Sequence, residues 1–129
     1  MTAERIRIDC PPGWGRINGK YVGQSYRLSK KYRAFKTAVR LAAVEQLPPV
    51  DTIDGWSKYR VTVDSYWNRA HREKLPGVPM GDADACVKAV LDGLEGVAYE
   101  DDAQVSEVLA RKFYDKDSPR VEVLLEVLG

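Results

Sequence analysis

The pattern of apolar, polar and β-branched side chains along the chain predicts four strands. The N-terminal segment Glu4–Cys10 alternates along its length, with Ile6, Ile8 and Cys10 on one face, which is typical of a half-buried strand. A later segment that is rich in β-branched and aromatic residues predicts a long strand, with its tryptophans packed against the sheet. The three later strands are predicted over Trp56–Trp67, Gln104–Tyr114 and Arg120–Leu128.

Two segments have the three-to-four-residue apolar spacing of a helix. Ser29–Gln46 begins with a plausible N-cap serine and ends before Pro48-Pro49. Asp82–Leu94 carries the clearer stripe, and Gly96 suits its C-terminal end. The polar segment Asn68–Gly81, with its prolines and glycines, is predicted to be a loop. The apolar stripe of the second helix consists of Ala83, Cys86, Val87, Val90, Leu91 and Leu94.

The order β-α-β-α-β-β predicts an α/β (α+β) fold in which two main helices pack on a mixed sheet. The 129 residues correspond to one domain, which we place at residues 1–129. The apolar runs are too short to cross a bilayer, and the N-terminus lacks the apolar core of a secretory signal. Two cysteines and one histidine are too few for a disulfide scaffold or a structural zinc site. We therefore expect a cytoplasmic protein without a membrane partner.

A net charge of +1 conceals a strong asymmetry along the chain. Residues 1–40 contain ten basic and two acidic side chains, whereas residues 81–129 contain five basic and twelve acidic ones. A basic segment suits a polyanion and an acidic one suits a metal cation, although the two halves of the chain could simply neutralise each other. The basic side chains that we consider for DNA contact are Arg16, Lys20, Arg27, Lys30 and Lys31.

The chemistry of the chain is concentrated around the second predicted helix. Asp82 and Asp84 lie at its predicted start, Lys88 follows four residues after Asp84, and Glu100-Asp101-Asp102 comes after the helix. Carboxylates brought together by a loop are usual ligands of Mg²⁺. Simpler interpretations stay open at this point. Asp82 and Asp84 would also suit a helix N-terminus, Lys88 could pair with Asp92, and the acidic loop could be merely solvated.

The segment Gly81–Val105 resembles the RusA-type crossover junction endodeoxyribonucleases, the Holliday junction resolvases often found in phages and prophages. Their core pattern is D-x-D-N-x-x-K-x-x-x-D-x-L, followed after a short loop by D-D-x-Q-V. The positions that match in order and spacing are Asp82, Asp84, Lys88, Asp92, Asp101, Asp102, Gln104 and Val105.

This resemblance implies a homodimeric, Mg²⁺-dependent endonuclease, in which Mn²⁺ would substitute, that resolves four-way DNA junctions by paired symmetric nicks. It implies that Asp82, Asp84 and Asp102 bind the metal, that Asp101 supports them, and that Lys88 is an essential basic group. The nicks would leave a 5′-phosphate and a 3′-hydroxyl.

Two positions depart from the family pattern. Ala85 replaces the usual asparagine, and Gly81 stands where a basic residue is common. An alternative function is therefore a junction-binding module of the same fold with weakened or no catalysis. A transferase that uses Asp82 and Asp84 is a third hypothesis, but the chain has no nucleotide-binding glycine loop, which counts against it.

Overall fold

The computed structural model describes residues 3–9, 30–49, 53–68, 70–71, 75–79 and 86–128. The elements in chain order are β1 (Ala3–Ile8), α1 (Lys30–Gln46), β2 (Tyr59–Trp67), β3 (Ala70–His71), β4 (Leu75–Pro79), α2 (Val87–Leu94), β5 (Val105–Tyr114) and β6 (Arg120–Val127), with a 3₁₀ turn at Asp102–Gln104. The predicted α+β class, two main helices and order of the principal elements are confirmed. No helix among the described residues is long and apolar enough to span a membrane.

A four-stranded mixed sheet has the order β1-β6-β2-β5. β6 runs antiparallel to both of its neighbours, whereas β2 and β5 are parallel. In the central register Val63 lies opposite Val123, which in turn lies opposite Ile6 on β1. The parallel pair requires a crossover connection, and α2 lies within it.

One face of the sheet packs against both helices and forms the core. The alternating residues Ile6, Val61, Val63 and Val123 are fully buried on this face. From α1, a stripe that includes Val39 is buried as the sequence predicted. Trp67 is also buried, as predicted, and its indole N–H donates to Ser65 Oγ at 2.8 Å.

The helices α1 and α2 come close together at Gly93. A Cβ built on this glycine would lie 2.8 Å from Val39 Cγ1 and 3.0 Å from the Lys36 carbonyl oxygen. These distances are shorter than ordinary van der Waals contact, so only glycine fits without a shift of one helix. The contact places the polar face of α2 beside α1.

The structure corrects three local predictions. α2 begins at Val87 with Cys86 as its N-cap residue, so Cys86 is not part of the helix, and residues 82–85 of the predicted helix lie outside the described residues. The predicted loop Asn68–Gly81 contains the antiparallel strands β3 and β4. Proline lacks a backbone N–H, but each strand of this two-stranded sheet has an outer edge where no N–H is needed for pairing, so the prolines are tolerated. Trp56 does not pack against the sheet, since β2 begins only at Tyr59 and the indole is 82% exposed.

Candidate active site

The buried face of α2 determines which of its side chains face the solvent. Cys86, Ala89, Val90 and Leu94 are buried, so Lys88 and Asp92 project from the opposite side of the helix. Lys88 and Asp92 are four residues apart and form an ion pair, with 3.2 Å between Lys88 Nζ and Asp92 Oδ1. The pairing that the sequence left open is therefore formed.

A tight reversal after α2 returns the chain to the same polar face. Gly96 has φ of +83°, a conformation in which L side chains are strained, and its N–H donates to the Tyr99 carbonyl at 2.7 Å. The Ala98 N–H donates to the Leu94 carbonyl at 2.8 Å, which closes the end of the helix. This turn brings Asp102 beside the helix.

Three carboxylates converge where the returning chain meets α2. Asp92, Glu95 and Asp102 each offer an oxygen, and these oxygens all lie within 4.8 Å of one another. We call these three residues the carboxylate cluster. Lys88 Nζ also lies 3.9 Å from Asp102 Oδ2, so this ammonium group lies between two members of the cluster. All three side chains are partly exposed, which leaves the cluster open to solvent.

Two residues of α1 hold the end of α2 that carries the cluster. The buried Tyr32 donates a short hydrogen bond from its hydroxyl to Asp92 Oδ2. Arg40 donates to the backbone carbonyls of Asp92 and Glu95, both at 3.2 Å. A cation at a helix C-terminus also interacts favourably with the helix dipole. Both oxygens of Asp92 are therefore engaged, one by Lys88 and one by Tyr32, which orients this carboxylate.

Asp101 and Gln104 hold the loop that carries Asp102. The Asp101 carboxylate accepts from the Ala103 N–H at 2.9 Å, and the Gln104 amide oxygen accepts from the N–H of Asp101 at 3.0 Å. Together these bonds form a capping box around the 3₁₀ turn. The Gln104 amide nitrogen donates to the carbonyls of Asp54 and Ser57 at 3.1 and 3.0 Å. Gln104 therefore attaches the Asp102 loop to the segment that precedes β2.

The carboxylate cluster imposes a negative field on its surroundings. Burial raises the pKa of Tyr99 far above its ordinary value, and the charges of the three nearby carboxylates add to the rise. The Tyr99 hydroxyl stays protonated and donates to the Leu91 carbonyl at 2.7 Å. Three carboxylates face one ammonium group, so the site has an excess of negative charge that favours a cation.

The donor set of the cluster fits a hard divalent cation such as Mg²⁺. Mg²⁺ takes oxygen ligands at about 2.1 Å in an octahedron, so bound oxygens lie about 3 Å apart when adjacent and about 4.2 Å apart when opposite. The oxygens of the cluster all lie within 4.8 Å of one another, which is near enough for them to share one ion. Glu95 and Asp102 would reach a shared ion through small side-chain movements, whereas both oxygens of Asp92 are already engaged.

The structure brings together some of the predicted site residues. Lys88 and Asp102 meet in the cluster, whereas Asp101 is exposed and its carboxylate caps the 3₁₀ turn. Several predicted residues lie outside the described residues. Lys30 and Lys31 are described only in their backbone, which forms the first turn of α1. The predicted residues that lie outside altogether are Asp82, Asp84, Arg16, Lys20 and Arg27.

Sequence reasoning did not assign site roles to Glu95 and Tyr32. Glu95 follows Asp92 by three residues and shares its polar face, which was a usable signal. Tyr32 lies on the apolar face of α1, and nothing local distinguishes its hydroxyl from that of another core tyrosine. Its contact with Asp92 depends on how the two helices pack.

The comparisons with known proteins identify a family. No match was found among the curated proteins. A family model described as endodeoxyribonuclease RusA matches residues 10–126, which is nearly the whole chain. The match spans the carboxylate cluster, Lys88 and the D-D-x-Q-V segment, and the family consists of endonucleases that resolve Holliday junctions. The chain therefore belongs to the RusA endodeoxyribonuclease family.

Proposed function

We propose that this protein cuts four-way DNA junctions by metal-dependent phosphodiester hydrolysis. The observation that carries the proposal is the convergence of Lys88 and Asp102, from two different elements, at a group of carboxylates that suits a divalent ion. Family membership supplies the substrate class and reaction class. The role of each residue in this chain is the part that requires testing.

In this proposal Asp102 is a metal ligand, together with Asp82 and Asp84 as the resemblance implies. When bound, Mg²⁺, or Mn²⁺ in its place, supplies positive charge that polarises the scissile phosphate and eases the deprotonation of water. Asp92 has both oxygens engaged by protein groups, so we assign it chiefly to the orientation of Lys88. Glu95, whose carboxylate completes the cluster, is a further candidate ligand.

Lys88 is suited to neutralise charge that develops on the phosphate. Its side chain is 42% exposed, and its ammonium lies between Asp92 and Asp102 at the surface of the cluster. A positioned cation at that place lowers the energy of a transition state in which negative charge grows on oxygen. The half-exposed position lets the ammonium contact the cluster and DNA at the same time.

The surface that binds DNA is proposed to be formed by the N-terminal basic residues. On the outer face of the sheet the arginines are already paired with acids. Arg111 forms a bidentate pair with Asp64 at 2.7 and 2.8 Å, and Arg60 forms one with Glu126 at 3.1 Å. We therefore propose that basic residues outside this face contact the phosphates, and Arg33 on α1 is exposed and able to join them. The residues proposed for that contact are Arg16, Lys20, Arg27, Lys30 and Lys31.

We also propose that the protein acts as a homodimer, because two symmetric nicks require two identical sites. β5 is an edge strand of the sheet and exposes apolar side chains that would suit an interface between copies, among them Val108 and Leu109, each 47% exposed. Leu109→Lys is expected to lower the mass measured by light scattering. Leu41→Lys, at an exposed leucine on α1, is the matched control. An unchanged mass for Leu109→Lys would contradict this interface.

The central test compares a synthetic four-way junction with a linear duplex of the same sequence. Each is incubated with Mg²⁺, Mn²⁺ or a chelator, and we expect symmetric nicks on the junction that disappear with the chelator. Asp102→Asn should abolish cutting and retain binding, whereas Asp117→Asn, at an exposed aspartate in the β5–β6 turn, should cut normally. Tight binding without cutting in either metal would favour the binding module. No preference for the junction would contradict both functions.

Asp101 is tested separately, because its carboxylate has a structural task. Asp101→Asn keeps an oxygen that accepts from the Ala103 N–H, so the cap is expected to survive. Cutting that stays at the wild-type rate would make Asp101 a cap only. A loss as large as that of Asp102→Asn would make it a metal ligand.

The proposed location of the protein is the cytoplasm, where its DNA substrate would be found.

A further inference from the structure

Trp56 is an exposed aromatic residue on a short, heavily bonded segment. Its side chain is 82% exposed, the highest value among the large hydrophobic residues that the structure describes. Burying an indole is one of the larger apolar gains available to a small protein, so the fold leaves this gain unused. A single exposed apolar residue is common. Trp56 differs from such a residue because hydrogen bonds hold the backbone that carries it.

The backbone around Trp56 is held by the Asp54 carboxylate. Asp54 Oδ1 accepts from the N–H groups of Trp56 and Ser57 at 3.0 and 2.6 Å, and Oδ2 accepts from Ser57 Oγ at 2.6 Å. The Ser57 hydroxyl and N–H lower the pKa of Asp54 below its ordinary value, so the carboxylate stays ionised and keeps these bonds at neutral pH. These bonds hold the backbone from which the indole projects.

The same segment is attached to the loop of the active site. Gln104, two residues after Asp102, donates to the carbonyls of Asp54 and Ser57 on either side of Trp56. Gly55, the residue before Trp56, also lies against this loop, since a Cβ built on it would be 2.7 Å from Glu100 Oε2. Trp56 is therefore presented from a segment that packs directly against the loop carrying a member of the carboxylate cluster.

We propose that Trp56 is a substrate-binding residue that stacks on a base at the branch point of the junction. This inference rests on the proposed function and adds a recognition residue to it. At a branch point the continuous stacking of the duplex is interrupted, so a base face is available to an aromatic ring, whereas a linear duplex offers one only at its ends. Base–aromatic stacking tolerates any sequence. A segment already held in place loses little conformational freedom when it binds.

The test measures binding of a fluorescently labelled four-way junction and of a linear duplex in the presence of chelator. Trp56→Ala should weaken junction binding about 5- to 150-fold, the range that corresponds to the usual contribution of one stacked base. Binding to the linear duplex should change less than about 2-fold, because that contact consists of phosphate interactions. Trp56→Phe should restore most of the junction affinity. Leu41→Ala, which removes another exposed apolar side chain, should leave both affinities unchanged.

Three results would overturn the inference without contradicting the proposed function. Unchanged junction affinity in Trp56→Ala would exclude stacking, and an equal loss on both DNAs would indicate a general effect on the surface. A smaller mass for Trp56→Ala in light scattering would make the indole a protein–protein contact. The proposed function fails in a different way, since the wild-type protein itself would then show no preference for the junction.

Discussion

Removal of the Gln104 side chain should damage catalysis and stability together. Gln104 makes four hydrogen bonds, two to the backbone of Glu100 and Asp101 and two to the segment before β2. A typical hydrogen bond contributes about 0.5–1.5 kcal/mol net, and water can replace those made to exposed groups. The first pair involves exposed backbone and the second is partly buried, so we expect Gln104→Ala to cost about 2 kcal/mol.

The rate of junction cutting should also fall, because the same bonds hold the loop that carries Asp102. With Gln104 truncated, the Asp102 loop keeps its cap from Asp101 but loses its attachment to Asp54 and Ser57. A displacement of about 1 Å at a catalytic site can cost about 100-fold in rate, so we expect junction cutting to fall by about 10- to 100-fold. Gln104→Glu retains the acceptor oxygen but turns a second oxygen toward two carbonyls, so it should not rescue cutting.

Gln46 provides a matched control for this experiment. Its amide also bonds backbone groups, since it accepts from the Arg7 N–H and donates to the Arg7 carbonyl, both at 2.9 Å, on the edge strand β1. Gln46→Ala should lower the free energy of unfolding in urea by about 1 kcal/mol and leave cutting unchanged. If Gln104→Ala loses stability as predicted but cuts like the wild type, then Gln104 does not position Asp102.

Three further variants test other parts of the structure. Lys88→Ala should lower junction cutting about 100-fold or more and leave binding intact, and a collapse of binding would make Lys88 a DNA-gripping residue. Gly93→Ala should destabilise the protein by about 1–3 kcal/mol in urea, because its Cβ meets Val39, and wild-type stability would contradict the close helix contact. The pKa of the Tyr99 hydroxyl is raised in the folded state. Its contribution to the free energy of unfolding is therefore present below pH ~10 and is lost as the pH rises above that value. Tyr99→Phe should therefore flatten the fall in stability above pH ~10, and an unchanged slope would refute the coupling.

The sequence predicted the elements whose signals are local and repeated. The apolar stripe of α1, the alternation in β1 and the long strand before Trp67 each extend over several residues, so the structure confirms them within a few positions. The predicted helix Asp82–Leu94 is wrong at Cys86, which is the N-cap of α2 and not a helical residue. The apolar spacing of the stripe runs through Cys86, so the pattern alone does not separate an N-cap residue from the first residue of a helix.

The contacts at the candidate site that the sequence indicates are those between residues close in the chain. The spacing of Lys88 and Asp92 requires only a helix, and the return of Asp102 requires only the turn at Gly96. The exposure of Trp56 was not predictable in the same way, because aromatic residues beside a strand usually pack against it. Its position depends on Asp54, whose side chain organises the segment before β2 begins.

The carboxylate cluster is local in sequence but its orientation depends on distant residues. Asp92, Glu95 and Asp102 lie on one short stretch of chain, yet Asp92 is oriented by Tyr32 from α1, and Asp102 is attached through Gln104 to the segment before β2. Like-charged groups repel when brought together, so this stretch alone would favour their separation. The packing of α1 and the attachment before β2 oppose that repulsion. It follows that substitutions in either distant element should change cutting even though they touch neither metal nor phosphate.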